Sequence, residues 1–95
     1  MTTLETTPTD TSDAFVERLF GAVLGTMDLH AVYLGDRLGY YRVLAEGPLT
    51  SAELATRTGT AERYAREWLE QQAASGILEV DNASAAPEER RYRLP

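Results

Sequence analysis

The sequence predicts a mainly helical α+β fold, in which a long N-terminal helical region precedes a winged helix-turn-helix with a small β-hairpin. Three observations predict this fold. Apolar residues recur at helical spacing from Phe15 to Leu38. The segment Arg57–Leu78 has the order of a tight turn, an amphipathic helix, a glycine stop and the start of a strand. Near the end of the chain, Arg90–Leu94 alternates basic and apolar side chains, as one strand of a hairpin would.

Composition limits the chain to a few classes of protein. Its 95 residues suffice for one small domain, and the absence of cysteine excludes disulfides and thiolate metal sites. The formal net charge is -6, and the nine basic residues are all arginine. No basic segment followed by an apolar run marks a signal peptide, and no apolar stretch has the length of a membrane span. We therefore expect a cytoplasmic protein without a membrane partner.

The N-terminal part divides into a leader and a helical region. Residues 1–12 are rich in threonine and lack periodicity, which predicts a disordered leader, and the winged-helix domain is expected over residues 13–95. Glycines inside the long apolar pattern predict a break or kink near Gly25 to Asp28. A short further helix is expected over Tyr40–Ala45.

Local signals place the rest of the winged helix. Thr50 and Glu53 have the spacing of a capping box, which predicts the start of a short helix. Thr60 is predicted to cap the following helix, and Gly76 to stop it. The inward face of that helix is predicted to carry Ala61, Tyr64, Ala65, Trp68, Leu69 and Gln72. Strands are expected over residues 77–80 and 90–94, and these two strands and the loop between them form the wing.

The long helical pattern offers more apolar side chains than so small a domain can bury. Contact between two copies is therefore expected through five residues, namely Leu19, Val23, Leu24, Met27 and Val32. A pocket lined by Phe20, His30 and Tyr33 is a second hypothesis. Aromatic residues at helical spacing are more often core than pocket, and a helix histidine more often makes a structural hydrogen bond or lies at a subunit contact.

Residues that could contact DNA lie on the second helix of the motif and on the wing. Arg63, Arg66 and Arg91 are the candidates. The outer face of the helix, however, carries three glutamates besides two arginines, and carboxylates there would repel the phosphates of DNA. The alternative is a solvated, salt-bridged face, and we expect nucleic acid not to be a partner.

No catalytic or metal-binding constellation emerges from the sequence. The glycines of Gly35–Gly39 lack the spacing and the preceding strand of a dinucleotide loop. The single histidine, His30, has no serine or cysteine nucleophile near it in the sequence. We predict no catalytic, cofactor-binding or metal-binding residue, and no activity for this chain alone.

Three segments together resemble a known family. These are Glu17–Ala45, with its LGDRLGYY run at Leu34–Tyr41, then Gly47–Val80, with its TGTAERYAREWLEQQA run at Thr58–Ala73, and the closing RRYRLP. They resemble the N-terminal winged-helix domain of bacterial class I S-adenosylmethionine-dependent methyltransferases, closest to the mycobacterial-type group. The resemblance covers residues from about Asp13 to Pro95.

The resemblance implies a role in a transferase. In such enzymes this domain pairs two subunits and helps to cover the substrate pocket, and a Rossmann-like domain that follows it binds S-adenosylmethionine. The present sequence contains no strand followed by a glycine-rich loop, so the catalytic domain is expected to be absent and no cofactor is expected to bind. The chain would then be a fragment, a truncated gene product or a free-standing domain. Its expected partner is a second copy of itself, in a homodimer, or a methyltransferase catalytic domain. The alternative function is a DNA-binding transcriptional regulator.

Overall fold

The first helix, α1, is far longer than the other elements. The computed structural model describes the backbone of residues 2–95 and the side chains of residues 11–95, and α1 spans Thr2–Leu38. The helix therefore begins within the predicted disordered leader, of which Thr11 and Ser12 are described and exposed. Once a helix has a nucleus, each further residue adds a hydrogen bond, and weak helix formers can be included.

Of the break or kink predicted near Gly25 to Asp28, the break is wrong, because α1 continues through these residues without interruption. A glycine inside a helix costs about 1 kcal/mol relative to alanine, but it removes no backbone hydrogen bond. The chain turns instead at Gly39, which has a left-handed φ of 80° between α1 and helix α2, Tyr40–Leu44. Glycine adopts this conformation without the steric cost that a Cβ would bring.

Helix α3, Ser51–Thr58, begins at the capping box that the sequence predicts. The Thr50 hydroxyl accepts a hydrogen bond from the Glu53 amide at 3.2 Å, and the Glu53 carboxylate accepts one from the Thr50 amide at 2.8 Å. This reciprocal pair satisfies two backbone donors at the start of the helix. Gly59 then ends α3 with a φ of 70°.

Helix α4, Glu62–Ala74, begins one residue later than predicted, with Ala61 and not Thr60 at its N-cap. The Thr60 hydroxyl instead accepts a hydrogen bond from the Tyr40 hydroxyl at 2.8 Å, which ties α2 to the turn before α4. Trp68, Leu69 and Gln72 are buried as predicted, whereas Tyr64 is exposed on the outer side of the helix. Gly76 follows α4 with a φ of 77°.

The wing is a two-stranded antiparallel sheet. Strand β1, Glu79–Val80, pairs with β2, Tyr92–Arg93, so that Glu79 lies opposite Arg93 and Val80 opposite Tyr92. An isolated bridge between Leu49 and Tyr92 attaches the segment before α3 to the sheet. Both strands are shorter than predicted, and a 3-10 turn at Pro87–Glu89 occupies part of the loop between them.

The hydrophobic core lies where α2, α3, α4 and the wing meet. Nine apolar residues are buried there, namely Tyr40, Leu44, Leu54, Ala55, Ala65, Trp68, Leu69, Leu78 and Tyr92. The N-terminal half of α1 projects away from this core. The radius of gyration is consequently 18.4 Å, where a compact domain of this length would have about 12 Å.

Candidate interaction surface on the first helix

The C-terminal part of α1 is held to α4 by close packing around Trp68. The indole N–H of Trp68 donates a hydrogen bond to the Ala31 carbonyl at 2.9 Å. One turn along α1, Gly35 lies so near the indole that a Cβ added there would overlap it. Tyr41 packs edge-on against Trp68, with 5.2 Å between the ring centroids. The helices can approach this closely because position 35 has no side chain.

Polar contacts extend the attachment by one further turn. The Asp28 carboxylate accepts hydrogen bonds from the Gln71 side-chain amide at 2.8 Å and from the Ser75 hydroxyl at 2.7 Å. The network continues from Gln71 to Gln72, whose side-chain oxygen accepts from the Tyr41 hydroxyl. Burial raises the pKa of that hydroxyl, which favours its protonated, hydrogen-bond-donating form. These contacts fix the direction of α1 relative to the winged helix.

Before Asp28, the described apolar side chains of α1 are exposed to solvent. They cover several turns of the helix, and they are Phe15, Val16, Leu19, Phe20, Val23, Leu24 and Met27. Water-exposed apolar surface on this scale is unfavourable in an isolated domain and is typical of surfaces that bind another protein. We call this surface, together with its continuation at Leu34, the α1 apolar face.

Four of the five residues predicted to contact a second copy lie on this face. Leu19, Val23, Leu24 and Met27 are all between 46% and 60% exposed. Val32 is half-buried and lies nine residues after Val23, which at about 100° per residue is the opposite side of the helix. Val32 therefore does not belong to the same surface as the other four.

An apolar groove lies beside α1 at the point where α4 meets it. It is lined by Thr26, Met27, His30, Ala31, Leu34 and Gln71. Of the three residues predicted to line a pocket, only His30 lines this groove. Phe20 and Tyr33 are 62% and 59% exposed and lie outside the lining.

The residues predicted for DNA contact lie on a separate part of the molecule. Arg66 is 3.2 Å from the Glu62 carboxylate, and Arg91 is 3.1 Å from that of Glu53. Glu62 also accepts a hydrogen bond from the buried Ser51 hydroxyl at 2.6 Å. Arg63 is exposed on the outer face of α4. Pairing with carboxylates reduces the positive potential that a phosphate backbone would meet.

The charge of Glu53 is favoured by its surroundings. Its pKa is lowered, first by the hydrogen bond from the Thr50 amide and further by the Thr50 hydroxyl and the Arg91 guanidinium. Because the same carboxylate caps α3 and pairs with the wing, this arrangement has a structural role. A DNA contact by Arg91 would have to compete with this ion pair.

The part of the chain that the structure describes lacks two further kinds of feature. No group of three or more histidine and carboxylate side chains there is placed to hold a metal ion. Within the same residues, no helix has both the length and the hydropathy of a membrane span.

Two positions that shape this surface carry weak signals in the sequence. Gly35 stands near the end of the helical pattern with no sequence signal for a partner, yet inside α1 it is the contact point for Trp68. Gln71 is not among the residues of the predicted inward face, yet it bonds to Asp28 and lines the groove. Their partners lie more than 30 residues away along the chain, and local patterns do not reveal contacts at that separation.

Comparisons with known proteins agree with this fold. The family model of the Rv2258c-like winged HTH domain matches residues 26–95. Seven chains of solved structures match. One of them is the mitomycin 7-O-methyltransferase MmcR, with a TM-score of 0.74, 25% sequence identity and coverage of 92% of this chain. The chain spans about a quarter of that enzyme, 24% of its length. A comparison with curated proteins found none that matches. The predicted resemblance to the winged-helix domain of methyltransferases is thereby confirmed.

Proposed function

Because the chain belongs to the Rv2258c-like winged helix-turn-helix domain family, we propose that it is the part of a methyltransferase that joins two subunits and covers the methyl-acceptor pocket. S-adenosylmethionine would be bound by the catalytic domain of such an enzyme and not by these residues. The observation that carries the first role is the exposed α1 apolar face. The second role rests on the resemblance to methyltransferases.

The exposure of α1 supports dimerisation for a physical reason. A protein interface of ordinary size removes about 800 Å² from water on each partner. The described part of α1 touches its own core near its C-terminal end, and the exposed remainder of a helix of 37 residues can supply a surface of that size. A second copy with the same face would cover it, as isologous dimers do.

Analytical ultracentrifugation tests dimerisation on the purified chain. We expect a dimer at about 10 μM, a concentration at which an interface of ordinary size commonly persists. Met27→Glu, on the apolar face, should produce a monomer, because it places a charge in the contact. Leu29→Glu is the matched control: Leu29 is 72% exposed, but lies about 200° around the helix from Met27. A wild-type monomer at several hundred micromolar would contradict the proposal.

The covering role is tested on the methyltransferase that contains this domain. Hydrogen–deuterium exchange would be compared with and without the methyl acceptor, at saturating cofactor. We expect slower exchange within residues 26–95 when the acceptor is bound, because a covering element loses access to water. Unchanged exchange throughout these residues, with acceptor bound, would remove this part of the proposal and leave dimerisation intact.

DNA binding is the competing function of a helix-turn-helix, and it is tested separately. A titration at low salt would compare the wild type with a variant in which Arg63, Arg66 and Arg91 are all alanine. We expect weak binding at most in both proteins, because Arg66 and Arg91 are already paired with glutamates. Micromolar binding by the wild type that is lost in the folded variant would favour the regulator.

A further inference from the structure

The described part of α1 contains an alternating spacing of three and four residues. Counted from Asp13, this spacing selects eight positions: Asp13, Val16, Phe20, Val23, Met27, His30, Leu34 and Arg37. Such spacing places side chains along one seam of a helix, as in two-stranded coiled coils. All eight positions are exposed. The seam is apolar over its middle, apart from His30, and has an acidic residue at one end and a basic residue at the other.

The seam has a mirror relation about residue 25 that bears on the orientation of a partner helix. Val16 and Leu34 each lie nine positions from residue 25, Phe20 and His30 five, and Val23 and Met27 two. An antiparallel second copy centred there would bring the members of each pair face to face. It would also bring Asp13 opposite the partner's Arg37 at both ends. A parallel pair in register would set Asp13 against Asp13 and Arg37 against Arg37, which is unfavourable.

The groove beside α1 gives an independent reason for the same register. Met27, His30, Ala31 and Leu34 are spaced i, i+3, i+4 and i+7. Four residues with this spacing form the hole that receives one side chain in knobs-into-holes packing. In the antiparallel register the side chain opposite His30 is the partner's Phe20, and Phe20 is 62% exposed in the single chain. Its ring has the size and apolar character to fill the groove, with Gln71 of α4 at the side.

We propose that two copies of this chain pair through α1 in antiparallel orientation about residue 25, with Phe20 of each copy in the groove beside His30 of the other. This inference rests on the proposed dimerisation and specifies its geometry. It places residues 12–24 of each α1 along residues 26–38 of the other, beside α4. The winged-helix cores then lie at opposite ends of the helix pair.

Cysteine crosslinking tests the orientation without background, because the chain contains no cysteine. Val16→Cys and Leu34→Cys are prepared separately, and each is confirmed to dimerise. Equal amounts are then mixed, re-equilibrated and crosslinked by mild oxidation or a short bismaleimide. We expect the mixed Val16→Cys and Leu34→Cys dimer to be the main product. Val16→Cys alone should crosslink poorly, because its two sulfurs would be 18 residues apart along the helix axis, about 27 Å.

The outcomes separate the orientation from dimerisation itself. Efficient crosslinking of Val16→Cys alone would show a parallel pair and overturn the orientation. A dimer in which neither the mixture nor the single variants crosslink would overturn the register. A chain that is monomeric by ultracentrifugation would overturn the proposed function together with this inference.

A charge exchange at the ends of the seam gives a second test. Asp13→Arg should weaken the dimer about three- to tenfold at low salt, because each new arginine would face the partner's Arg37. Adding Arg37→Asp to the same chain should restore the affinity, since opposite charges again meet. In a parallel pair the first change would replace one like-charge contact with another. Unchanged affinity in both variants would therefore contradict the antiparallel register.

Discussion

Replacing Trp68 should show how strongly the long helix depends on the winged-helix core. The side chain is 7% exposed and lies 4.8 Å from the Tyr40 ring and 5.2 Å from the Tyr41 ring, centroid to centroid. Emptying such an aromatic site costs about 3–5 kcal/mol. At roughly 0.05–0.15 kcal/mol per residue, a chain of this length has about 5–14 kcal/mol in total. Trp68→Ala should therefore remove a large share of the stability or unfold the domain.

Trp68→Phe separates the hydrogen bond from the packing. It keeps an aromatic ring in the site and removes the N–H that donates to the Ala31 carbonyl at 2.9 Å. We expect a loss of about 1–2 kcal/mol, from one hydrogen bond and a smaller ring. This variant should remain folded, so it measures the contribution of Trp68 even if Trp68→Ala does not fold.

Urea unfolding followed by far-ultraviolet circular dichroism at one fixed protein concentration would measure both variants. Tyr64→Ala is the matched control, because Tyr64 is an aromatic residue on the same helix with 69% exposure. It should change the free energy of unfolding by about 0.5 kcal/mol or less. A Trp68→Ala protein within about 1 kcal/mol of the wild type would refute the view that this side chain anchors α1 and α4.

Three further predictions concern α1, α3 and the cofactor. Gly35→Ala should destabilise the folded protein by about 1–3 kcal/mol, because the new Cβ would lie 2.9 Å from Trp68 Cε2. Gly21 has open space around it, so Gly21→Ala should stabilise the protein by about 0.5–1 kcal/mol. Equal effects of the two substitutions in thermal unfolding would contradict this contrast. The pKa of Glu53 is lowered by the hydrogen bond from the Thr50 amide. The stabilisation that its charge contributes is therefore fully present above the unfolded-state pKa of 4.5 and is lost as the pH falls through the lower folded-state pKa. Glu53→Gln should reduce the dependence of stability on pH in this acidic range, and an unchanged dependence would contradict the prediction. Calorimetric titration of S-adenosylmethionine into the purified chain should give no binding heat, and submillimolar binding would overturn the prediction.

Elements whose cause is local were predictable from the amino-acid sequence. The capping box at Thr50 and Glu53 and the stops at Gly59 and Gly76 depend on hydrogen bonds and φ values within a few residues. The burial of Trp68 and Leu69 follows from the periodicity of one helix. These signals, together with the alternation near Tyr92, suffice to predict a winged helix that follows a long helical region. The family match confirms the winged-helix fold.

Packing between distant elements determines how α1 is attached and which of its faces is exposed. Thr60 was a suitable cap by sequence, but its hydroxyl bonds to Tyr40, 20 residues away. The break expected near Gly25 to Asp28 is absent, and Gly35 lies inside α1, where it admits Trp68 from 33 positions along the chain. Contacts over such separations depend on how preformed helices pack and leave no local pattern. The side of α1 that stays exposed follows from that packing, since it is the side that α4 does not cover.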